Sequence, residues 1–250
     1  MHDIEIRPEI IARVMARRGR LHLFEKLTPT STALVIIDMQ NTFLRPGAPV
    51  EVPKGREIVA NINHLSARLR VIGVPVIWVT HANSSADGKS DWPGFFDHFV
   101  TAEVRQKTVD GLAPGAEGQK IWPELDVAPE DVQIFKNRYS ALIAGSSSLE
   151  SLLLGQGIDT LLVAGLKTNV CCESTARDAM MLDFNVVMVE DCNAALSDED
   201  AERFWKILID RVRAYREDAD LALRVRRAAL LLGLLLAFVV YLLSQWPNSP

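Results

Sequence analysis

The sequence predicts an α/β fold of three layers, with helices on both faces of a mostly parallel sheet. Five short apolar runs rich in β-branched residues read as strands. Helical periodicity fills several of the stretches between them, and glycine or proline stands at the junctions. With 250 residues the chain has length for one such domain and a remainder.

Residues 1–30 form an arm ahead of the first strand. Within it, 4–20 reads as a basic helix, with Ile10, Ile11, Val14 and Met15 on one side and Arg13, Arg17, Arg18 and Arg20 around them. Packing on its own domain or on a neighbouring subunit is its expected role. Residues 33–37 (ALVII) are continuous and β-branched, as in a strand covered on both faces. Residues 56–72 carry helical spacing at Ile58, Val59, Ile62, Leu65, Leu69 and Ile72, then Gly73 and Pro75 stop the helix and 74–80 gives the second strand. The third strand is expected at 132–135 after a turn at 128–131. Residues 148–156 read as a helix capped by Gly157, 160–164 as the fourth strand, 170–182 as a helix and 186–190 as the fifth strand. Such alternation requires right-handed crossovers and places a site at the carboxyl ends of the strands. Residues 31–202 are read as this domain.

Composition narrows the partners. The chain is 48% hydrophobic and 24% charged with a net charge of −5, and no basic run has interleaved aromatics, so nucleic acid is not an expected partner. Cys171, Cys172 and Cys192 are an odd set with an adjacent pair, a poor disulfide framework that suits a reducing compartment. His2, His22, His64, His81 and His98 are scattered without metal-site spacing, so no metal and no cofactor is expected. The N-terminus has no apolar leader core, and Asp3, Glu5 and Glu9 argue against a transit peptide; the start of the chain reads as cytoplasmic.

The polar residues directly after the strands are Asp38, His81, Lys136 and the segment 167–171. Cys171 follows a connection containing Gly165 and opens the predicted helix. Unpaired N–H groups and the helix dipole there favour thiolate, so the expected thiol pKa lies below the ordinary value of about 8.5. Asp38 is placed to accept the thiol proton, and Lys136 to hold both groups. Taken singly, Asp38 reads as a turn cap and Lys136 as a solvated charge. Cys172 and Cys192 read as core thiols. The joint placement of Asp38, Lys136 and Cys171 at strand ends favours chemistry.

The strings at 33–41 (ALVIIDMQN), 136–141 (KNRYSA) and 168–179 (TNVCCESTARDA) resemble the isochorismatase-like cysteine hydrolases, a family that includes nicotinamidases, N-carbamoylsarcosine amidases and ureidoacrylate amidohydrolases. The resemblance runs from about residue 4 to about residue 200. It implies the isochorismatase-like hydrolase fold, with Asp38 as general base and acid, Lys136 as the family's lysine and Cys171 as nucleophile. It also implies a cis peptide between Leu166 and Lys167, and an oxyanion hole from the backbone N–H groups of Lys167 and Cys171. Asn41, His81, Trp92 and Tyr139 are expected to contact substrate. Where nicotinamidases carry a metal-binding Asp-x-His, this chain has Thr80, His81, Ala82 and Asn83, so that metal site is not expected. The thiol favours hydrolysis of a small amide, carbamoyl or ureido compound through a thioester. Hydrolysis of an isochorismate-type vinyl ether, which needs no thiol, and an inactive scaffold are the alternatives. Specificity is expected to lie in residues 82–120, and a homo-oligomer is the expected assembly.

Family members continue with a helix and a sixth edge strand. This chain instead gives a charged helical linker at 203–227 and a hydrophobic segment at 228–246, so the sixth strand is expected to be missing and a sheet edge exposed. Residues 228–243 carry no charge and would span about 24 Å as a helix. Extension to Trp246 makes 19 uncharged residues, near the roughly 20 that cross a bilayer. Arg224, Arg226 and Arg227 on the near side would keep the domain cytoplasmic. A membrane anchor, an interface helix and a non-native reading frame are the three readings of this tail.

Overall fold

Apolar residues spaced two apart in five strands and three to four apart in the helices set the layers of the protein. The computed structural model describes residues 8–20, 23–24, 26–84 and 89–201. The elements follow as α1 (Pro8–Arg18), β1 (Thr32–Ile37), α2 (Asn41–Leu44), α3 (Val59–Val71), β2 (Val76–His81), α4 (Pro93–Phe96) and α5 (Ala102–Gly111). Then come β3 (Val132–Lys136), α6 (Leu149–Gly155), β4 (Thr160–Leu166), α7 (Glu173–Met181) and β5 (Asn185–Ala194). The strands pair in parallel in the order β3-β2-β1-β4-β5.

Successive side chains of a strand point to opposite faces. Ala33, Val35 and Ile37 therefore pack with Leu149 and Leu153 of α6 and with Ala176 and Ala179 of α7. Leu34 and Ile36 pack on the other face with Ile62, Leu65 and Leu69 of α3. Every residue of β1, β2 and β4 is buried, as their continuous apolar runs require. Each fully buried Leu, Ile or Val contributes about 1.5–3 kcal/mol.

Several boundaries differ from the sequence reading, each for a local reason. The stretch 56–72 divides into a 3₁₀ turn, Pro53–Ile58, and α3. Val74 stands outside β2 because its N–H bonds back to Leu69 O at 3.0 Å. Gly157 takes φ 67° after α6, the left-handed position expected of a helix-capping glycine. The predicted helix from 170 begins instead as a π-helical turn, Thr168–Cys172, with α7 starting at Glu173. β4 and β5 run past their apolar cores through a register shift, pairing Gly165 with Asn193 and Leu166 with Ala194. Asn193 Nδ2 donates to Val163 O and Val189 O at 2.9 and 2.6 Å, occupying carbonyls that the shift would strand. On the arm, Val14 is buried whereas Met15 is 42% exposed.

The linker 203–227 and the segment 228–246 lie outside the described residues. Among the described residues the sheet has five strands, and no helix is long and apolar enough to cross a membrane.

At the carboxyl edge, Ile37 is in register with Val79 on one side and Gly165 on the other, and His81 with Lys136. The residues that follow these positions are thus brought side by side.

Candidate active site

Asp38 leaves β1 with φ 56°, a left-handed conformation that costs a non-glycine residue about 1–3 kcal/mol. Its N–H donates to Val79 O at 2.8 Å, and its carbonyl accepts from Gln40 N–H at 2.9 Å. These bonds fix the turn so that the carboxyl points into the protein, where the residue is 1% exposed. Lys136, the last residue of β3, donates to Asp38 Oδ2 at 2.9 Å and to Arg138 O at 3.0 Å, and its Nζ lies 3.3 Å from His81 Nδ1. An ammonium has three N–H groups and accepts nothing, so His81 Nδ1 is the acceptor and its ring is neutral. Burial, with Lys136 and Arg138 nearby, holds the His81 pKa well below its ordinary value. Burial alone would lower the Lys136 pKa, but Asp38 and Cys171 outweigh it and the amine is held above its ordinary value. Burial raises the Asp38 pKa above the usual carboxylate value although Lys136 and the Cys171 thiol oppose it.

Asp38 Oδ1 is buried and has no hydrogen-bond partner among the described residues. Cys171 lines the same cavity as Asp38, and the two groups act on each other's ionisation. Cys171 is 6% exposed and sits within the π turn, where Val170 N–H and Cys172 N–H both donate to Lys167 O, at 3.0 and 3.2 Å. The peptide between Leu166 and Lys167 is cis, as the resemblance implied.

The expectation of a lowered thiol pKa is corrected by this geometry. Helix α7 begins after Cys171, and burial, aided by Asp38, pushes the thiol up to about 12 against the pull of Lys136 and Lys167. A helix dipole contributes about 0.3–1 kcal/mol to such a group, and desolvation of a fully buried group outweighs it. The resting sulfur is therefore a protonated thiol beside a carboxylate. Cys172 turns the other way, its Sγ 3.4 Å from Leu166 O, and it packs in the core with Ala176 and Ala179. Cys192 is buried on the opposite face of the sheet.

A cavity of about 670 Å³, counted with its open mouth, lies over Asp38 and Cys171. His81, Trp92 and Tyr139 line it, as the sequence reading proposed for substrate contacts. Asn41 does not. Its position at the start of α2 turns it away from the cavity, and its Nδ2 instead donates to Glu117 O at 2.8 Å.

The sequence reading missed the rest of the wall. Phe95 and Phe96 of α4 and Val104 and Thr108 of α5 close the cavity, with Val100 and Leu112 flanking α5. The spacing of Val100, Val104, Thr108 and Leu112, four residues apart, was the available signal for one inward helical face. Trp92 stacks on Phe95 at 4.8 Å and meets Tyr139 edge-on at 4.8 Å. Burial and the neighbouring Cys171 raise the Tyr139 phenol pKa. Gln40 was also missed. Its Oε1 accepts His81 N–H at 2.7 Å while its Nε2 donates to His81 O and Gln119 O, both at 2.9 Å, tying the ends of β1 and β2 to the loop before Lys120. Among the described residues no group of three or more His, Cys, Asp or Glu is gathered to hold a metal ion.

Comparison with known proteins gives a consistent result. The isochorismatase domain model matches residues 32–215, from the start of β1 to beyond residue 202, where the sequence reading ended the domain. The ureidoacrylate amidohydrolase RutB of Pseudomonas syringae pv. syringae is 31% identical over 189 residues, 71% of this chain and 76% of that protein. The crystal structure of a cysteine hydrolase from Pseudomonas syringae pv. phaseolicola aligns with a TM-score of 0.64 at 27% identity, over 74% of this chain and 86% of that one. An isochorismatase family protein from Desulfovibrio vulgaris aligns with a TM-score of 0.58 at 32% identity, over 70% of this chain and 87% of that one.

Proposed function

As this chain belongs to the isochorismatase family and is a hydrolase, we propose that it cleaves a small amide, carbamoyl or ureido compound through a thioester on Cys171. The observation that carries this reading is that Asp38 and Cys171 line one cavity, with Lys136 occupying Asp38 Oδ2 and the buried Oδ1 left without a partner among the described residues.

The chemistry follows from that arrangement. Asp38 Oδ1 takes the thiol proton as Sγ attacks the substrate carbonyl carbon, so a thiolate never stands alone in the buried site. Lys136 keeps Asp38 in place and stabilises the charges exchanged between carboxylate and sulfur. The N–H groups of Lys167 and Cys171 are assigned to the developing oxyanion. The placement of Lys167 O as acceptor for the N–H groups on both sides of Cys171 supports this, since it fixes the turn that carries both donors. The tetrahedral species expels the amine, which leaves with the proton held by Asp38. Asp38 then deprotonates a water that attacks the thioester, and the proton returns to sulfur as the acid or carbamate departs. Trp92, Tyr139 and His81 bound the substrate, and a planar amide or ureido group suits the flat aromatic wall.

The test is ammonia release from a panel of small amides, N-carbamoyl acids and ureido acids, with intact-mass detection of an acyl adduct on Cys171. Turnover by the wild-type protein that is lost in both Cys171→Ala and Asp38→Asn supports the reading. Activity that survives Cys171→Ala overturns it and favours the vinyl-ether chemistry. The segment 228–246 is proposed on its sequence alone as a membrane-attaching helix. Partition of the full chain into the detergent phase checks it, and recovery in the aqueous phase counts against it.

A further inference from the structure

The charges around the cavity do not balance. Asp38 and Lys136 neutralise each other, Cys171 is a thiol, and His81 and Tyr139 are neutral. Lys167 adds a further positive charge to the lining, between the cis peptide and the nucleophile. Its ammonium makes no hydrogen bond and no ion pair among the described residues. Its backbone is fixed by the two N–H donors on its carbonyl, so the side chain starts from a defined point. The acidic groups that act on it are Asp38, already paired, and Asp200, which is half-buried and accepts from Ser197 Oγ at 3.0 Å. Arg138 is not a rival cation here. It does not line the cavity; its guanidinium lies 5.3 Å from the Trp92 ring and donates to Asp91 O and Asn137 O.

A lone cation in a mostly apolar pocket is best satisfied by one negative charge from the occupant, because attraction strengthens as water is excluded. We propose that the Lys167 side chain is a specificity-determining residue that binds a carboxylate of the substrate, so that the site selects amide or ureido acids over their neutral counterparts. This rests on the thiol amidohydrolase reading and deepens it. The aromatic wall receives the planar body of such a molecule, the carbonyl lies over Cys171, and the carboxylate faces Lys167. Burial lowers the Lys167 pKa, the expected behaviour of an ammonium whose compensating anion arrives only with a ligand.

Two alkylating agents of similar size and opposite charge character test the claim without turnover. Iodoacetate is an anion and iodoacetamide is neutral, and both alkylate Cys171 Sγ with loss of iodide. The ratio of their rates at Cys171 cancels any change in the reactivity of the thiol itself. In the full-length protein this ratio should exceed that of free cysteine. It should fall about ten- to hundred-fold in Lys167→Met, the scale of a charge-assisted hydrogen bond, and be retained in Lys167→Arg. Cys172 and Cys192 staying unlabelled shows that the variants are folded. A wild-type ratio no higher than that of free cysteine, or a ratio unchanged within about twofold in Lys167→Met, overturns the proposal. The substrate arm compares 3-ureidopropionate with its methyl ester, where Lys167→Met should raise KM for the acid far more than it lowers kcat. If the wild type hydrolyses neither compound nor any other amide of the panel yet keeps its iodoacetate preference, the amidohydrolase reading falls while the anion site stands.

Discussion

Lys136 Nζ stands 2.9 Å from Asp38 Oδ2, and the two side chains are 0% and 1% exposed. Desolvating two opposite charges is tolerable only while both are present. Lys136→Met leaves a buried carboxylate and frees His81 Nδ1 and Arg138 O, while Asp38→Asn leaves a buried ammonium. Each should lose about 3–5 kcal/mol of stability. The double variant should lose clearly less than the sum, because no unpaired charge remains. Urea unfolding of the four proteins in a double-mutant cycle measures this, and simple additivity would contradict the coupling.

The pH dependence follows from the raised Asp38 and Cys171 pKa values. As pH falls through the Asp38 value, the carboxylate takes a proton and can no longer accept one from sulfur. Since burial holds that value above the ordinary carboxylate figure of about 3.9, kcat/KM should begin to fall at higher pH than an exposed aspartate would dictate. At the other end, iodoacetamide alkylation of Cys171 should show no inflection near the ordinary thiol value of about 8.5, because the resting thiol is pushed up to about 12.

The contrast between what the sequence revealed and what it hid has a physical cause. Asp38, Lys136 and Cys171 were legible together because continuous apolar runs mark buried parallel strands, and such sheets deliver the residue after each strand to one edge. The electrostatics of Cys171 were not legible, since depth of burial is a property of the assembled layers and not of spacing. The extension of β5 through Asp191 and Asn193 was hidden for a similar reason, as polar residues interrupt the apolar pattern and are satisfied only across the register shift. The aromatic wall comes from a segment whose neighbours in space, Tyr139 and Val170, lie far along the chain.

That wall makes a prediction of its own. Phe95 contacts Trp92, Phe96, Tyr139 and Phe99 with ring centroids 4.8, 5.1, 5.5 and 6.0 Å away. Aromatic pairs contribute about 0.5–1.5 kcal/mol each beyond burial. Phe95→Ala should therefore loosen the cover over the cavity while leaving Asp38, Lys136 and Cys171 in place. Steady-state kinetics should show KM rising about tenfold, the cost of roughly 1.4 kcal/mol of lost contact, with a smaller change in kcat. A kcat loss with unchanged KM would mean that Phe95 supports the reacting groups instead.

Gly165 permits a close approach of β4 to β1. It takes φ 112°, and a Cβ there would stand 2.1 Å from Ile37 O and 2.7 Å from Ile37 N. Both contacts are with backbone in register on β1, one residue before Asp38, so no side-chain rotation can relieve them. Gly165→Ala must either push β4 from β1 or twist the chain out of its left-handed conformation. Positive φ in a residue with a side chain costs about 1–3 kcal/mol, and overpacking about 1–3 more. A loss of roughly 2–6 kcal/mol in urea unfolding is expected. The displacement falls where β1 delivers Asp38 and β4 leads to Lys167 and Cys171, so the folded fraction should also lose most of its activity. A Gly165→Ala protein of wild-type stability and rate would show that this contact does not set the spacing between the base and the nucleophile.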